Sequence, residues 1–493
     1  MSRLLLRGGR LVDPASRTDT RADVLVDDGR VAEVGPGLDG TGADVVDCDG
    51  LVVCPGLVDL HVHLREPGRE DAETIETGSR AAALGGYTAV CPMPNTDPVA
   101  DNAGVVEMVA ARGREVGLVD VFPVGAVTLG RRGSELAELG AMARSAAAVD
   151  CFSDDGRPIR EARLLRLALE YARAFDAVIA DHAEDASLTD DAQMHEGEVS
   201  AMLGLAGWPA AAEEMVVARD LLLAELTGGR LHLCHVSTAG AVELVRAAKA
   251  RGVRVTAEAA PHHFSLTDEA ARSYDPVFKV NPPLREKADV EAVRLGLADG
   301  TIDAIATDHA PHAREDKEVE WATAPPGMLG LETALAMALT ELVGDPNSGA
   351  REPHAPTTPG TPAPHVPRIP EPPDREGSPA RAQRAPAVHS PARAQGAPAV
   401  HSPPGYLDLA TAVERLTTGP ARCRRLPGHG GPVASGAPAN LAVFDPAAAW
   451  TVDRARLASR ARNTPFHGRE LRGRVVHTLL RGTFTVRHGR ATR

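Results

Sequence analysis

Lysine is nearly missing from this chain. It occurs only as Lys249, Lys279, Lys287 and Lys317, and the remaining basic residues are Arg. With abundant Ala, Gly and Pro, that bias reflects a GC-rich genome and excludes no function. No C-x-x-C pair occurs among Cys48, Cys54, Cys91, Cys151, Cys234 and Cys423. Most of them sit in apolar runs, so buried free thiols in a reducing cytosol are expected. Positive charge is also lacking: the net charge of -14 argues against a nucleic-acid or anionic-membrane surface. No uncharged stretch is long enough to span a membrane. Met1 to Asp13 lacks the apolar core and small-residue cleavage site of a signal peptide, so a cytoplasmic location is expected. At 493 residues the chain can bury a large core and form more than one structural unit.

What is present begins with alternation. Residues 1–53 read as short strands (Arg3–Arg7, Ala22–Val26, Arg30–Val34, Val45–Asp47) broken by turns such as Asp27-Asp28-Gly29. Residues 431–493 look alike, with strands at Leu441–Phe444, Val475–Leu480 and Thr483–Arg487. Both ends are therefore expected to build one small β-sandwich domain. Between them, over 54–344, strand-like runs alternate with Ala/Leu/Glu-rich helical ones. Eight strands are expected: Leu57–His61, Tyr87–Pro92, Val119–Val124, Ala147–Phe152, Ala177–Ala180, Leu231–His235, Val253–Glu258 and Ile302–Thr307. That pattern predicts an α/β fold, a closed (β/α)8 TIM-type barrel. An open doubly wound sheet is the alternative, but no Gly-rich nucleotide turn supports it. Residues 345–405 are rich in Pro, Ala, Arg and His, and Ser378–His389 is nearly repeated by Ser390–His401. They are expected to form a disordered insertion. His354, His365, His389 and His401 within it read as loop residues copied by duplication rather than as a metal tract. A barrel-associated helix is expected over 406–430.

The chemistry lies at the strand exits. His61 and His63 follow the first strand, Asp154 and Asp155 the fourth, His182 the fifth, His235 the sixth and Asp308 the eighth. Residues i and i+2 of a strand share a face, so the two imidazoles of an H-x-H can reach one cation. A buried Asp at a strand end needs a partner, and several converging on one barrel mouth need a cation. Four His with at least two Asp suggest a two-metal hydrolytic centre. Such a donor set suits zinc, with manganese or cobalt as alternatives.

These segments resemble the amidohydrolase superfamily and, more narrowly, the bacterial class I dihydroorotases. The matching stretches are PGLVDLHVHLREPG from Pro55, MPNT from Met93, CFSDDG from Cys151 and IADHAED from Ile179. Further along come LCHVST from Leu233, APHHF from Ala260, VNPPLR from Val280, ATDHAPH from Ala306 and PPGMLGLETA from Pro325. The resemblance implies that His61 and His63 hold one metal, and His182 and His235 the other. It implies Asp308 as a ligand that is also the general acid/base. Many relatives bridge their metals with a carbamylated Lys on the fourth strand. No Lys is near that strand here, and the second Asp of the motif, Asp155, takes that place. Asp154 is read as a supporting or turn carboxylate. Arg65, Asn95 and His312 would grip a substrate carboxylate, with Asn281 and the backbone at Pro326 and Gly327 as further contacts, and His63 touching substrate too. An isolated Arg65 would otherwise pair with Glu66 or Glu70, and Asn95 would cap a turn. Many relatives have Phe at the position of Pro326, so that loop departs from the pattern. His262 and His263 are read as structural or supporting.

The expected activity is reversible interconversion of N-carbamoyl-L-aspartate and L-dihydroorotate in de novo pyrimidine synthesis, with two Zn2+ per subunit and a metal-bridged hydroxide. Other cyclic amidohydrolases, allantoinases or dihydropyrimidinases, share fold and metals, so the fold alone does not decide between them. A metal-free scaffold subunit for an aspartate carbamoyltransferase would have lost ligand residues, and here each position is filled. That transferase is the expected protein partner, and a homo-oligomer the expected state.

Overall fold

Leu57–Val62 is buried along its whole length, as a parallel strand covered on both faces must be. It opens a ring of eight parallel strands with Tyr87–Pro92, Asp120–Val121, Cys151–Ser153, Val178–Asp181, Arg230–Leu233, Val255–Ala259 and Ala304–Ile305. The structure is a computed structural model that describes residues 3–344 and 405–493. The pairing forms a three-stranded and a five-stranded piece. Two seams join them. At one, Gly125 N donates to Cys151 O (3.0 Å) and Ser153 N to Gly125 O (2.9 Å). At the other, Val62 bridges His309 in parallel, and His63 N donates to His309 O at 2.8 Å. The fold is a TIM-type (β/α)8 barrel with a β-sandwich domain.

Helices separate the strands, starting with Ile75–Leu84. Thr74 caps that helix and Thr77 returns the bond to the cap backbone, which satisfies N–H groups that a helix start leaves open. The helices bury Ala81, Val109, Leu169, Val217, Val245 and Val293 around the barrel. Burying each large aliphatic side chain stabilises by about 1.5–3 kcal/mol.

The third and eighth strands are shorter than Val119–Val124 and Ile302–Thr307. At the eighth, a side chain takes the place of the regular ladder: the buried Asp59 Oδ1 accepts Thr307 N at 3.0 Å, and also His61 N of its own strand at 3.1 Å. The chain ends form a nine-stranded sheet whose central Val52–Pro55 pairs parallel to Leu4–Asp13 and antiparallel to Leu441–Thr451. That strand runs across the expected 53/54 boundary. Leu6, Val24, Val26, Val53, Leu441 and Leu479 share a separate core there. All six Cys are free and buried.

The disorder expected over 345–405 falls on residues 345–404, outside the described range. Their flanks, however, meet. Val343 bridges Leu407, Leu407 N donates to Leu342 O at 2.9 Å, and Gly344 and Gly405 are in backbone contact. The helix resumes at Leu409–Leu416. Loop-closure cost rises by only about 0.6 kcal/mol per doubling of length, so a short linker across adjoining ends costs no more than the native segment. Replacing residues 346–404 by a short Gly/Ser linker should leave melting temperature, metal content and kcat nearly unchanged. A folded, metal-loaded deletion protein that has lost activity would instead assign the segment a role in catalysis.

Candidate metal centre and active site

The strand exits bring six side chains together, all nearly fully buried: His61, His63, Asp155, His182, His235 and Asp308. Asp155 lies at their middle. Its Oδ1 is 3.3 Å from His61 Nε2, 3.5 Å from His235 Nε2 and 3.7 Å from His182 Nδ1, while Oδ2 is 3.6 Å from His63 Nε2. Asp308 Oδ1 stands 3.1 Å from His63 Nε2 and 3.5 Å from His61 Nε2. Two ligand groupings result, His61–His63–Asp155 and Asp155–His182–His235, each with donor atoms within 4.8 Å, and Asp155 is common to both.

Each outer ring nitrogen has its own acceptor, with one exception. His61 Nδ1–H donates to Glu258 Oε1 at 2.8 Å, His63 Nδ1–H to Asn95 Oδ1 at 2.9 Å and His182 Nε2–H to Glu184 Oε2 at 3.0 Å. Such partners select the tautomer whose lone pair points inward. Among the described residues the buried His235 Nδ1 has no hydrogen-bond partner, nor has the inward-facing His61 Nε2, despite Asp155 nearby. His182 Nδ1 and His235 Nε2 lie 3.0 Å apart. Two lone pairs that close repel unless a proton or a cation lies near both. The donor set therefore fits divalent metal.

The electrostatics agree. Burial works to raise the Asp155 pKa, yet His61, His235 and His63 hold it well below the usual carboxylate range. Asp308 is depressed too, against burial, by His61 and His63. Burial opposes a charged His61, but the Asp155 and Asp308 carboxylates push its pKa well above the imidazole range. Two carboxylates in a dry pocket draw positive charge to it. Arg65, His235 and Asp308 have positive φ (60°, 31° and 47°), a conformation non-glycine residues rarely adopt.

The neighbouring Asp154 turns away. Its Oδ1 accepts Val127 N (2.9 Å) and Thr128 N (3.0 Å), and its Oδ2 accepts Thr128 Oγ1. It holds the 127–128 loop. Arg65 is largely buried, and burial pulls its guanidinium down to about 10, so it stays charged at neutral pH. Its Nε donates to Pro311 O at 3.0 Å. Among the described residues no carboxylate pairs with it. Glu66 instead accepts Ile75 N and faces Arg112, and Glu70 accepts Gly68 N. Asn95 does not cap a turn; its Oδ1 is on His63, and no hydrogen bond among the described residues engages its amide nitrogen. His312 is pushed down to about 2 by burial and by the Arg65 and Lys317 charges, and its Nε2–H donates to Pro326 O at 2.8 Å. Gly327 has φ 140°, and a Cβ there would stand 2.7 Å from His312 Nε2, so no larger residue fits without displacing the imidazole. Asn281 is partly exposed, and its side chain forms no hydrogen bond among the described residues. His262 and His263 are buried; His263 Nε2 donates to Pro282 O at 3.0 Å, while His262 Nε2 has no hydrogen-bond partner among the described residues.

Sequence reasoning missed Glu258, Glu184 and Asn463. Glu258 carried a signal, a carboxylate ending an otherwise apolar barrel strand, and Glu184 lies within the IADHAED stretch. A large cleft of about 1060 Å3, lined in part by Asp13, Arg17, Glu414 and His429, lies away from this cluster. Asp19, Glu414 and His429 in its walls are already paired, with Arg10, Arg422 and Asp120.

A barrel whose strand exits converge on imidazoles and carboxylates is the architecture of metal-dependent hydrolases. Solved structures share the barrel fold along nearly the full length. L-Hydantoinase (dihydropyrimidinase) from Arthrobacter aurescens is 25% identical with a TM-score of 0.77, covering 100% of this chain and 98% of that one. Dihydropyrimidinase from Brevibacillus agri is 21% identical with a TM-score of 0.75, covering 99% and 96%. The fold and site thus define a cyclic amide hydrolase of the amidohydrolase type. A dihydro-orotase-like family model matches residues 50–241. Dihydroorotase of Streptomyces coelicolor is 50% identical over 492 residues, covering 100% of both chains. That of Mycobacterium tuberculosis is 48% identical, covering 95% of this chain and 96% of its own. The chain belongs to the dihydroorotase family.

Proposed function

We propose that the protein interconverts N-carbamoyl-L-aspartate and L-dihydroorotate in pyrimidine synthesis, with two zinc ions per subunit. Arg65 carries this reading: a largely buried, charged guanidinium beside the cluster, without a carboxylate partner among the described residues. A planar fork of that kind suits a substrate carboxylate. Asn95 offers its amide nitrogen to the same group, and His312, Asn281 and the Pro326–Gly327 backbone complete the pocket.

His61 and His63 would hold one ion and His182 and His235 the other, with Asp155 shared between them and Asp308 completing the set. Bound there, divalent cations lower the pKa of water from about 16 towards about 7 and polarise an amide carbonyl. Asp308 is ionised at neutral pH, and no hydrogen bond among the described residues engages its Oδ2. In ring opening it takes the proton of the attacking water and passes it to the departing amide nitrogen. In ring closure it takes that proton from the carbamoyl nitrogen and returns it to the leaving water.

An aspartate carbamoyltransferase is the proposed partner, and the cytoplasm the proposed location. Met215, Leu222 and Leu226 lie exposed along the Ala211–Thr227 helix, an apolar stripe that supports the proposal of a homo-oligomer. Metal analysis combined with a dihydroorotate hydrolysis assay tests the proposal. Turnover with two zinc equivalents is expected. Metal-free protein that gains no activity on zinc addition would make the chain a scaffold subunit.

A further inference from the structure

His312 and Gly327 sit on two irregular loops that run side by side. Ala310 N donates to Met328 O at 2.8 Å, and His309 bridges Met328 in parallel. A third piece of chain joins them, the segment 458–463 from the C-terminal part. Asn463, 4% exposed, faces both loops. Its Oδ1 accepts His312 N at 3.2 Å, and its Nδ2 donates to Ala310 O at 2.9 Å and Gly327 O at 3.1 Å. Its backbone carbonyl accepts Leu329 N at 3.2 Å. One side chain thus ties together the backbone on which the pocket's His312 and Gly327 depend.

The segment is itself anchored on two carboxylates, the partly buried Glu332 and the buried Glu73. Glu332 accepts Ala458 N at 2.8 Å and Ser459 N at 3.2 Å. Glu73 Oε2 accepts Ser459 Oγ and lies 3.3 Å from His309 Nε2, while its Oε1 accepts Arg460 N at 3.1 Å. The stretch leading to Asp308 has different supports. His63 N donates to His309 O, His309 N to Thr307 Oγ1 at 3.0 Å and Thr307 N to Asp59 Oδ1. Removing the Asn463 amide would loosen 310–312 and 327 while Asp308 and the metal-type cluster kept their places.

We propose that Asn463 is a positioning residue for substrate recognition: it sets the spacing between His312 and the Pro326–Gly327 backbone, and so the grip on the substrate carboxylate. This rests on the function proposed above. The corner tolerates little displacement, since even a methyl group at Gly327 would strike His312.

Two variants test it. Asn463→Ala removes all three side-chain bonds. Asn463→Asp keeps size and the Oδ1 acceptor but turns a carboxylate oxygen towards two carbonyls. Both should raise KM for L-dihydroorotate by about 10- to 100-fold, the scale of a small misplacement of binding groups. Metal content should stay at the wild-type level, with kcat within about threefold, the signature of lost ground-state binding. A lowered melting temperature with unchanged KM would make Asn463 merely structural and overturn the inference. If the Ala variant does not fold, the isosteric Asp variant, assayed below its melting point, supplies the KM. Arg65→Met in the same assay separates the two failures. A large loss there with unchanged KM in the Asn463 variants sinks this inference alone. A metal-loaded wild type without dihydroorotate turnover sinks the functional reading beneath it.

Discussion

Asp155→Ala should lower kcat/KM by on the order of 10³-fold or more, the scale of removing a group that stabilises reacting charge. It should also lose at least one equivalent of metal. Asp155 is the one carboxylate common to both ligand groupings, with an oxygen within 3.7 Å of each of the four imidazoles. Its removal would take away the anionic charge shared by the two proposed cation positions. Asp154→Ala should be milder. That side chain supports Val127 and Thr128, so its loss should appear first as a lower melting temperature. Elemental analysis of both variants decides the matter: full metal in Asp155→Ala with loss in Asp154→Ala would reverse the assignment.

Arg65→Met should lose roughly 10²- to 10⁴-fold in kcat/KM for dihydroorotate, the equivalent of two charge-assisted hydrogen bonds at about 1.5–3 kcal/mol each. Metal content should be unchanged, because Arg65 ligates nothing and its Nε holds only the Pro311 carbonyl. Met keeps much of the length and apolar stem, so packing survives while the fork does not. The wild type should turn over allantoin and dihydrouracil poorly, since neither carries the carboxylate that the pocket is proposed to hold. Comparable turnover of either would move the protein to another branch of the cyclic amidohydrolases.

Much of this was readable along the chain because the signals are local. Alternating strand-like and helical runs placed all eight barrel strands, and turn chemistry marked the β-domain at both ends. His61 and His63 announced themselves because i and i+2 share a strand face. Boundaries were less legible. Where a side chain such as Asp59 takes a ladder bond, the regular strand stops early, and no local preference records that. The stretch from Tyr406 begins its helix only at Leu409 for a similar reason, since Leu407 is spent bridging Val343.

The sequence by itself therefore determined the order of strands and helices and which residue types stand at the strand exits, since both follow from periodicity over a few residues. Only the tertiary structure decided which of two adjacent Asp faces inward, as Asp154 is drawn to the 127–128 backbone and Asp155 to the imidazoles. It alone set Glu258 behind His61 and Asn463 between the His312 and Gly327 loops. Those contacts span 197 and 151 residues, and only the closed barrel with its returning C-terminal segment brings such distant groups within hydrogen-bond reach.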